Sequence, residues 1–185
     1  MNKLIAVVGM SGTGKSVATD YLEKKGYHKI YFGGVIYQKM KEENIEITPS
    51  SQRLYREALR NKYGMAAVAI LLLDEIKESY QNGDAVLDGL YSWDEYLTLK
   101  KEFKDNLKMI CVCTDKAIRY NRVANRKDRP FNHDEIIARD ISEIENLAKG
   151  GPIAYSDYYI LNNGDLNNYY TRLEEILLDI DKGEK

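Results

Sequence analysis

Eight residues near the start of the chain have the types and spacing to hold a phosphate chain. Gly9-Met10-Ser11-Gly12-Thr13-Gly14-Lys15-Ser16 fits the pattern G-x-x-x-x-G-K-[ST]. Gly9, Gly12 and Gly14 let the backbone curl until several N–H groups of the loop, with Ser11 and Thr13 among its binding residues, point inward and cradle phosphate oxygens. A helix starting near Lys15 adds the positive end of its dipole. Lys15 is a flexible point charge for β- and γ-phosphates, and Ser16 offers a hydroxyl to Mg²⁺. The expected ligands are therefore ATP and Mg²⁺.

Two further groups of residues carry chemistry. Asp88 closes an apolar run, Ala85-Val86-Leu87, and is followed by Gly89. At the end of a strand beside the loop it would hold magnesium with Ser16, as a Walker B acid does, or take a proton from an acceptor hydroxyl. Arg119, Arg122 and Arg126 are spaced i, i+3, i+7 and share one helix face. Arg129 lies past a break at Lys127 to Pro130, and Arg139 in the next helix. Planar guanidinium groups suit the charge that builds on a transferring phosphate. Two helices joined by a polar break also suit a lid, about 119–150, that excludes water. The expected catalytic set is Lys15, Asp88, Arg126 and Arg129.

The elements that must position these groups alternate. Lys3 to Val8 is a β-branched strand, and Ser16 to Lys25 a helix ended by Gly26. His28 to Phe32 is a second strand, after which Gly33-Gly34 opens a helix from Val35 to Glu43. Ser50 or Ser51 caps a helix over Gln52 to Tyr63, and Met65 to Tyr80 is another. The strand Ala85 to Leu87 precedes a helix to Phe103, with Ser92 and Glu95 as its capping box. Leu107 to Cys113 is a strand, and Thr114 or Asp115 caps a helix running to about Arg126. Asn132 to Lys149 reads as one helix with Ile137, Ile141, Ile144 and Ala148 on its apolar face, ended by Gly150-Gly151-Pro152. Tyr158 to Leu161 is the last strand, and Asp165 caps the last helix. This alternation predicts a single α/β domain: a parallel sheet between two helical layers, with phosphates at the carboxyl ends of the strands.

Bulk composition narrows the partners. The net charge of −2 gives no general affinity for nucleic acid or an anionic membrane. The apolar run Met65 to Leu73 stops at Asp74, short of a membrane span. A strand-like run at the very start predicts no signal peptide, hence a cytoplasmic location. Cys111 and Cys113 sit two apart on a strand, which suits shared core packing better than a disulfide. No Cys/His cluster has zinc-site spacing, so no structural metal is expected.

With these motifs in place, the chain resembles the P-loop small-molecule kinases of the nucleoside monophosphate kinase group. Within that group it looks most like an archaeal family of adenylate-kinase-related proteins, and more distantly like dephospho-coenzyme A kinase. The stretches that carry the resemblance are GGVIY at 33–37, ITPSSQRLYREALRNKYGMAAVA at 47–69 and LDGLYS at 87–92, followed by RYNRVANRKDRP at 119–130, RDISE at 139–143 and SDYYILNNG at 156–164. The resemblance implies a P-loop NTPase fold of three α/β/α layers, with a five-stranded parallel sheet of order 2-3-1-4-5 and a helical lid. It implies Arg122 against the adenine, Arg126 and Arg129 at the phosphates, and an acceptor-binding helical region at about 33–80. Gly34 stands where the family has an acid, and Tyr37 and Tyr91 stand where it has acceptor-binding arginines. A tyrosine donates one hydrogen bond but does not neutralise a phosphate. Arg53 and Arg56, with Arg60 on the same helix, are the candidates to compensate.

Two functions follow. One is transfer of the γ-phosphate of ATP to a small acceptor such as a nucleotide, a nucleotide-like metabolite or dephospho-coenzyme A. The other is a nucleotide-binding module or slow ATPase switch with no small-molecule acceptor. The guanine-reading sequence Asn-Lys-x-Asp is absent, since Asn61-Lys62-Tyr63 runs into Gly64, which argues against a GTPase switch. The arginine-rich lid favours transfer, because a kinase must exclude water.

Overall fold

The computed structural model describes residues 2–127 and 130–183. Its centre is β1 (Leu4–Val8), every residue of which is buried. A run of five apolar residues with no polar alternation is what a strand covered on both faces requires. The chain continues through α1 (Lys15–Lys24), β2 (His28–Tyr31), α2 (Phe32–Glu42), α3 (Pro49–Tyr63), α4 (Ala67–Asn82) and β3 (Ala85–Asp88). It then forms α5 (Trp93–Phe103), β4 (Leu107–Cys113), α6 (Lys116–Ala124), α7 (His133–Glu145), α8 (Gly150–Ala154), β5 (Tyr158–Leu161) and α9 (Leu166–Lys182). All strand pairs are parallel, and the order is β2-β3-β1-β4-β5, as expected. None of the described helices is long and apolar enough to cross a membrane.

Strand alternation splits the core into two layers. Leu4, Ala6 and Val8 face α2, α4 and α5 through Ile36, Leu72, Ile76 and Leu99. Ile5 and Val7 face α1 and α9 through Leu22, Leu173 and Ile176. Cys111 is in the first layer and Cys113 packs against it; both are free thiols, with Sγ atoms 3.6 Å apart. In register, Asp88 lies opposite Val7 on one side and Tyr31 on the other. The carboxyl ends of β1, β2 and β3 thus form one edge, just where β1 enters the glycine loop.

Several boundaries differ from the sequence reading, each for a local reason. The cap of α3 is Thr48 rather than Ser50 or Ser51. Its hydroxyl accepts from Ser51 N at 3.1 Å, and Ser51 Oγ accepts from Thr48 N at 2.9 Å. Pro49 then takes the first helical position, where a missing N–H costs nothing. Gly33 and Gly34 lie inside α2 instead of before it. The half-exposed Tyr31 ring folds over Gly33, where a Cβ would sit 2.4 Å from its hydroxyl and would have to push the ring aside.

The largest departure is α7. Its buried line is Ile136, Asp140 and Glu143, whereas Ile141 is 48% and Ile144 54% exposed. Ion pairs, not apolar contacts, decide which face turns inward. Arg119 of α6 grips Asp140 with both terminal nitrogens, the Nη1–Oδ1 contact being 2.9 Å. Tyr120 Oη donates to the same carboxylate at 3.1 Å. Glu143 accepts from Lys149 Nζ at 2.6 Å and from Arg139 Nε at 3.0 Å. The predicted helix to Lys149 therefore stops at Glu145. Ala148 takes a φ of +48°, and Gly150-Gly151-Pro152 begins α8 rather than ending α7.

Removing one partner of a buried pair leaves an uncompensated charge, which costs about 3–5 kcal/mol. Asp140→Ala should lower stability by that amount in thermal or denaturant unfolding. The double change Ile141→Ser with Ile144→Ser should cost less than about 1 kcal/mol, as exposed positions do. The opposite ranking would restore the isoleucine face as the buried one.

Candidate active site

The loop between β1 and α1 is held from behind. Asn162 Nδ2 donates to Thr13 O at 2.8 Å and Thr114 Oγ1 to the same oxygen at 3.2 Å. Tyr169 Oη donates to Gly14 O at 3.1 Å, and Arg119 Nη1 to Ser11 O at 3.3 Å. A trans peptide points its N–H opposite to its C=O. With these carbonyls turned toward the body of the protein, the N–H groups that follow them face the open side. Glycine is required on sterics as well as on φ. At Gly12 (φ +86°) a Cβ would lie 2.6 Å from Arg119 O, and at Gly14 (φ +96°) 2.4 Å from Asn162 Nδ2. This close-fitted cradle, ending on the N-terminus of α1, suits a chain of phosphates.

The open side is a cavity of about 570 Å³. Ser11, Gly12, Gly14, Lys15 and Ser16 form one wall. Asp88 ends β3 and Tyr91 follows it, and Tyr31 ends β2. Arg122 of α6, Arg126 just beyond it, Phe131, and Arg139 and Glu143 of α7 complete the lining, together with Lys149, whose Nζ lies 4.7 Å from the centre of the Tyr91 ring.

Lys15 Nζ donates to Met10 O at 2.9 Å. The residue keeps some exposure, but its ammonium is surrounded by protein, and this burial pushes its pKa down to about 7. Lys149 lowers it further; Glu143 and Asp88 oppose the shift. Asp88 accepts from Thr19 Oγ1 at 3.2 Å, and Lys29 Nζ stands 3.8 Å away. Both contacts use Oδ2, which leaves Oδ1 unengaged among the described residues. Ser16 is exposed at the mouth of the cradle. Burial, then the neighbouring Arg139 guanidinium, hold Arg126 below the ordinary arginine range. Arg122 Nη1 reaches Thr114 Oγ1 at 3.5 Å.

The structure thus brings Ser11, Gly12, Gly14, Lys15, Ser16, Asp88, Tyr91, Arg122 and Arg126 to one cavity. Gly9 and Thr13 form the back of the loop: a Cβ on Gly9 would meet Val112 O at 2.4 Å, and Thr13 Oγ1 donates to Met10 O. Three expected acceptor residues do not line the cavity. Tyr37 is half-buried on α2, Arg53 is exposed and 3.8 Å from Glu57, and Arg56 lies one turn further along α3. Arg60, half-buried, is held below the usual arginine range by burial, with Glu95 opposing. Arg129 lies outside the described residues. Sequence reasoning did not single out Tyr31, Phe131, Glu143 or Lys149. Lys149 comes into play only through the turn at Ala148, for which one continuous helical pattern left no signal.

An ammonium with a pKa of about 7 is mostly neutral at pH 8, and a bound polyphosphate recharges it. Binding of a nucleoside triphosphate at pH 8 should therefore take up on the order of one proton, and Lys15→Met should take up none. Calorimetry in buffers of different ionisation heat measures this; equal uptake by both proteins would contradict the assignment.

Residues 5–146 match the AAA domain family. A UPF0200 protein of Methanococcus maripaludis (strain C7 / ATCC BAA-1331) is 31% identical over 185 residues, covering 98% of this chain and 100% of the relative. Among solved structures, dephospho-CoA kinase from Campylobacter jejuni superposes with a TM-score of 0.63 at 14% identity, covering 100% of both chains. Shikimate kinase from Bacteroides thetaiotaomicron gives 0.62 at 12% identity, covering 98% of this chain and 99% of that one. At such identities the structural likeness is one of fold. The sequence matches carry membership: this chain belongs to the AAA domain family and to the UPF0200 proteins, on the fold of the P-loop kinases.

Proposed function

We propose that this chain is a phosphotransferase that moves the γ-phosphate of ATP, with Mg²⁺, to a hydroxyl of a small molecule. The observation that carries the reading is the meeting in one cavity of the loop residues Lys15 and Ser16, the acid Asp88 and the arginines Arg122, Arg126 and Arg139. The fold neighbours named for kinases of dephospho-CoA and shikimate support the same class. When bound, the magnesium nucleotide supplies the phosphoryl group and its leaving diphosphate.

The chain's own residues divide the remaining work. The N–H groups of Gly12, Gly14 and Lys15, which follow the carbonyls held from behind, and the Lys15 ammonium would hold the phosphates. Ser16 and Asp88 would hold magnesium, or the Asp88 carboxylate, whose Oδ1 is unengaged among the described residues, would take the proton of an acceptor hydroxyl. Lys29 Nζ stands 3.8 Å from the other carboxylate oxygen, Oδ2, on the side away from these tasks. Arg126 and Arg139 aim positive charge at the transferring group, where it is worth most in the transition state. Arg129 shares that role by the resemblance. The lid made by α6 and α7 keeps water from the phosphoryl group. On the acceptor side the reading rests on Tyr31 and Tyr91, which line the cavity, rather than on Tyr37, Arg53 or Arg56. Nucleotides and nucleotide-like metabolites, dephospho-coenzyme A among them, are the first acceptors to test.

Asp88→Asn keeps the shape of the side chain and removes its charge. Turnover should fall by at least about a hundredfold, while magnesium-free ATP affinity stays the same. Arg126→Ala should lower turnover more than ATP affinity. Coupled-enzyme detection of acceptor-dependent ADP formation measures both. Full activity of Asp88→Asn would reduce Asp88 to a turn residue, and an Arg126→Ala loss confined to ATP affinity would return that arginine to ground-state binding.

A further inference from the structure

We propose that Lys149 binds a negatively charged group on the acceptor, so that the substrate carries an anion as well as the hydroxyl that receives phosphate. This rests on the phosphotransferase reading above. Lys149 is 1% exposed, yet it lines the cavity. Its Nζ bonds Glu143 Oε2 at 2.6 Å and lies 4.7 Å from the centre of the Tyr91 ring. Glu143 does not serve Lys149 alone, because Arg139 Nε bonds its other oxygen at 3.0 Å. Two cations therefore share one carboxylate at the cavity wall and leave a positive charge over.

The two cations differ in setting: the Arg139 guanidinium is 41% exposed and reaches water, whereas the Lys149 ammonium is buried against Glu143, where charge is costly unless well paired. An arriving anion would balance this cluster. An ammonium has three donors, and Glu143 is the only hydrogen-bond acceptor of Lys149 among the described residues. The π face of Tyr91 holds the ammonium in place without using up a strong acceptor.

Position separates this anion from the nucleotide. Arg122 follows β4, on one side of β1, whereas Tyr91 and Tyr31 follow β3 and β2 on the other. Lys149 stands with the second group, close enough to Lys15 to lower its pKa. A ligand anchored at Lys149 lies on the Asp88 side of the cradle, where the hydroxyl to be phosphorylated must be. Lys149 is thus a specificity-determining residue for acceptors bearing a phosphate or a carboxylate.

The test uses the full chain saturated with magnesium and a non-hydrolysable ATP analogue. Inorganic phosphate and acetate are titrated separately by calorimetry, which distinguishes a phosphate site from a carboxylate site. Wild type and Lys149→Arg should bind one of them. Lys149→Met, which keeps the length of the side chain, should bind it about tenfold or more weakly, the loss of one charge-assisted hydrogen bond, with the affinity for the ATP analogue within about twofold. Turnover is then compared for acceptors paired by charge, adenosine with AMP and glucose with gluconate. The KM for the charged member should rise in Lys149→Met and be rescued in Lys149→Arg. No anion binding by wild type, a loss of ATP-analogue affinity in Lys149→Met, or equal effects on neutral and charged acceptors would each overturn the proposal. Anion binding that depends on Lys149 without any acceptor-dependent ADP would instead sink the kinase reading and leave the anion site standing.

Discussion

The carbonyl oxygens of Ser11, Thr13 and Gly14 are where separate parts of the chain converge on the phosphate cradle. Arg119 comes from α6, Thr114 from the end of β4, Asn162 from the end of β5 and Tyr169 from α9. Each bond contributes only about 1 kcal/mol to stability. Their larger effect is directional, because they decide which way the peptide planes face. The parallel sheet brings the ends of β4 and β5 beside the loop, and the loop in turn fixes where α1 starts. Loss of this convergence would leave the glycines free to turn their N–H groups anywhere.

A second set of polar contacts places the opposite wall. Arg119 serves both sets, bonding the loop at Ser11 and α7 at Asp140. The small apolar cluster of Tyr120, Val123 and Ile136 supplies little area of its own, so α7 depends on ion pairs for its orientation. Glu143, Arg139 and Lys149 continue that pattern into the cavity. Gly151 lets the following chain close on Trp93, where a Cβ would come within 2.7 Å of the indole. Structure and chemistry therefore use the same charges: Arg139, Glu143 and Lys149, which orient α7 and α8, also line the cavity, and Lys149 adds to the burial that lowers the Lys15 pKa while Glu143 opposes it.

The parts of this site legible in the sequence are those that obey local rules. The loop follows from glycine spacing, Asp88 from its place at the end of an apolar run, and the Ser92–Glu95 box from capping chemistry that Glu95 N→Ser92 Oγ at 3.0 Å reproduces. The strand order came from the resemblance rather than from the residues, and the sheet has it. What escaped was decided at long range. Ile137, Ile141, Ile144 and Ala148 make a better apolar stripe than Ile136, Asp140 and Glu143, but no periodicity rule weighs Asp140 against an arginine 21 residues earlier. Lys149 lies beyond the reach of such rules for the same reason. Its partner is six residues back across a turn that needs a positive φ at an alanine. The expectation at Tyr37 was carried by position in a related family and those at Arg53 and Arg56 by their spacing on one helix, which fits a solvated face equally well; none of the three lines the cavity, and Arg53 is exposed.

A kinase cavity is told from an ATPase by where the phosphate goes: to an organic acceptor rather than to water. The most direct measurement follows the γ-phosphate itself. ATP labelled on that phosphorus is incubated with the protein, Mg²⁺ and a pool of small metabolites, and the label is partitioned between phosphate esters and inorganic phosphate. For a phosphotransferase, most of the label leaving ATP should appear in an organic phosphate ester, at a rate that vanishes when the pool is omitted. Label released only as inorganic phosphate, at a rate indifferent to the pool, would contradict it.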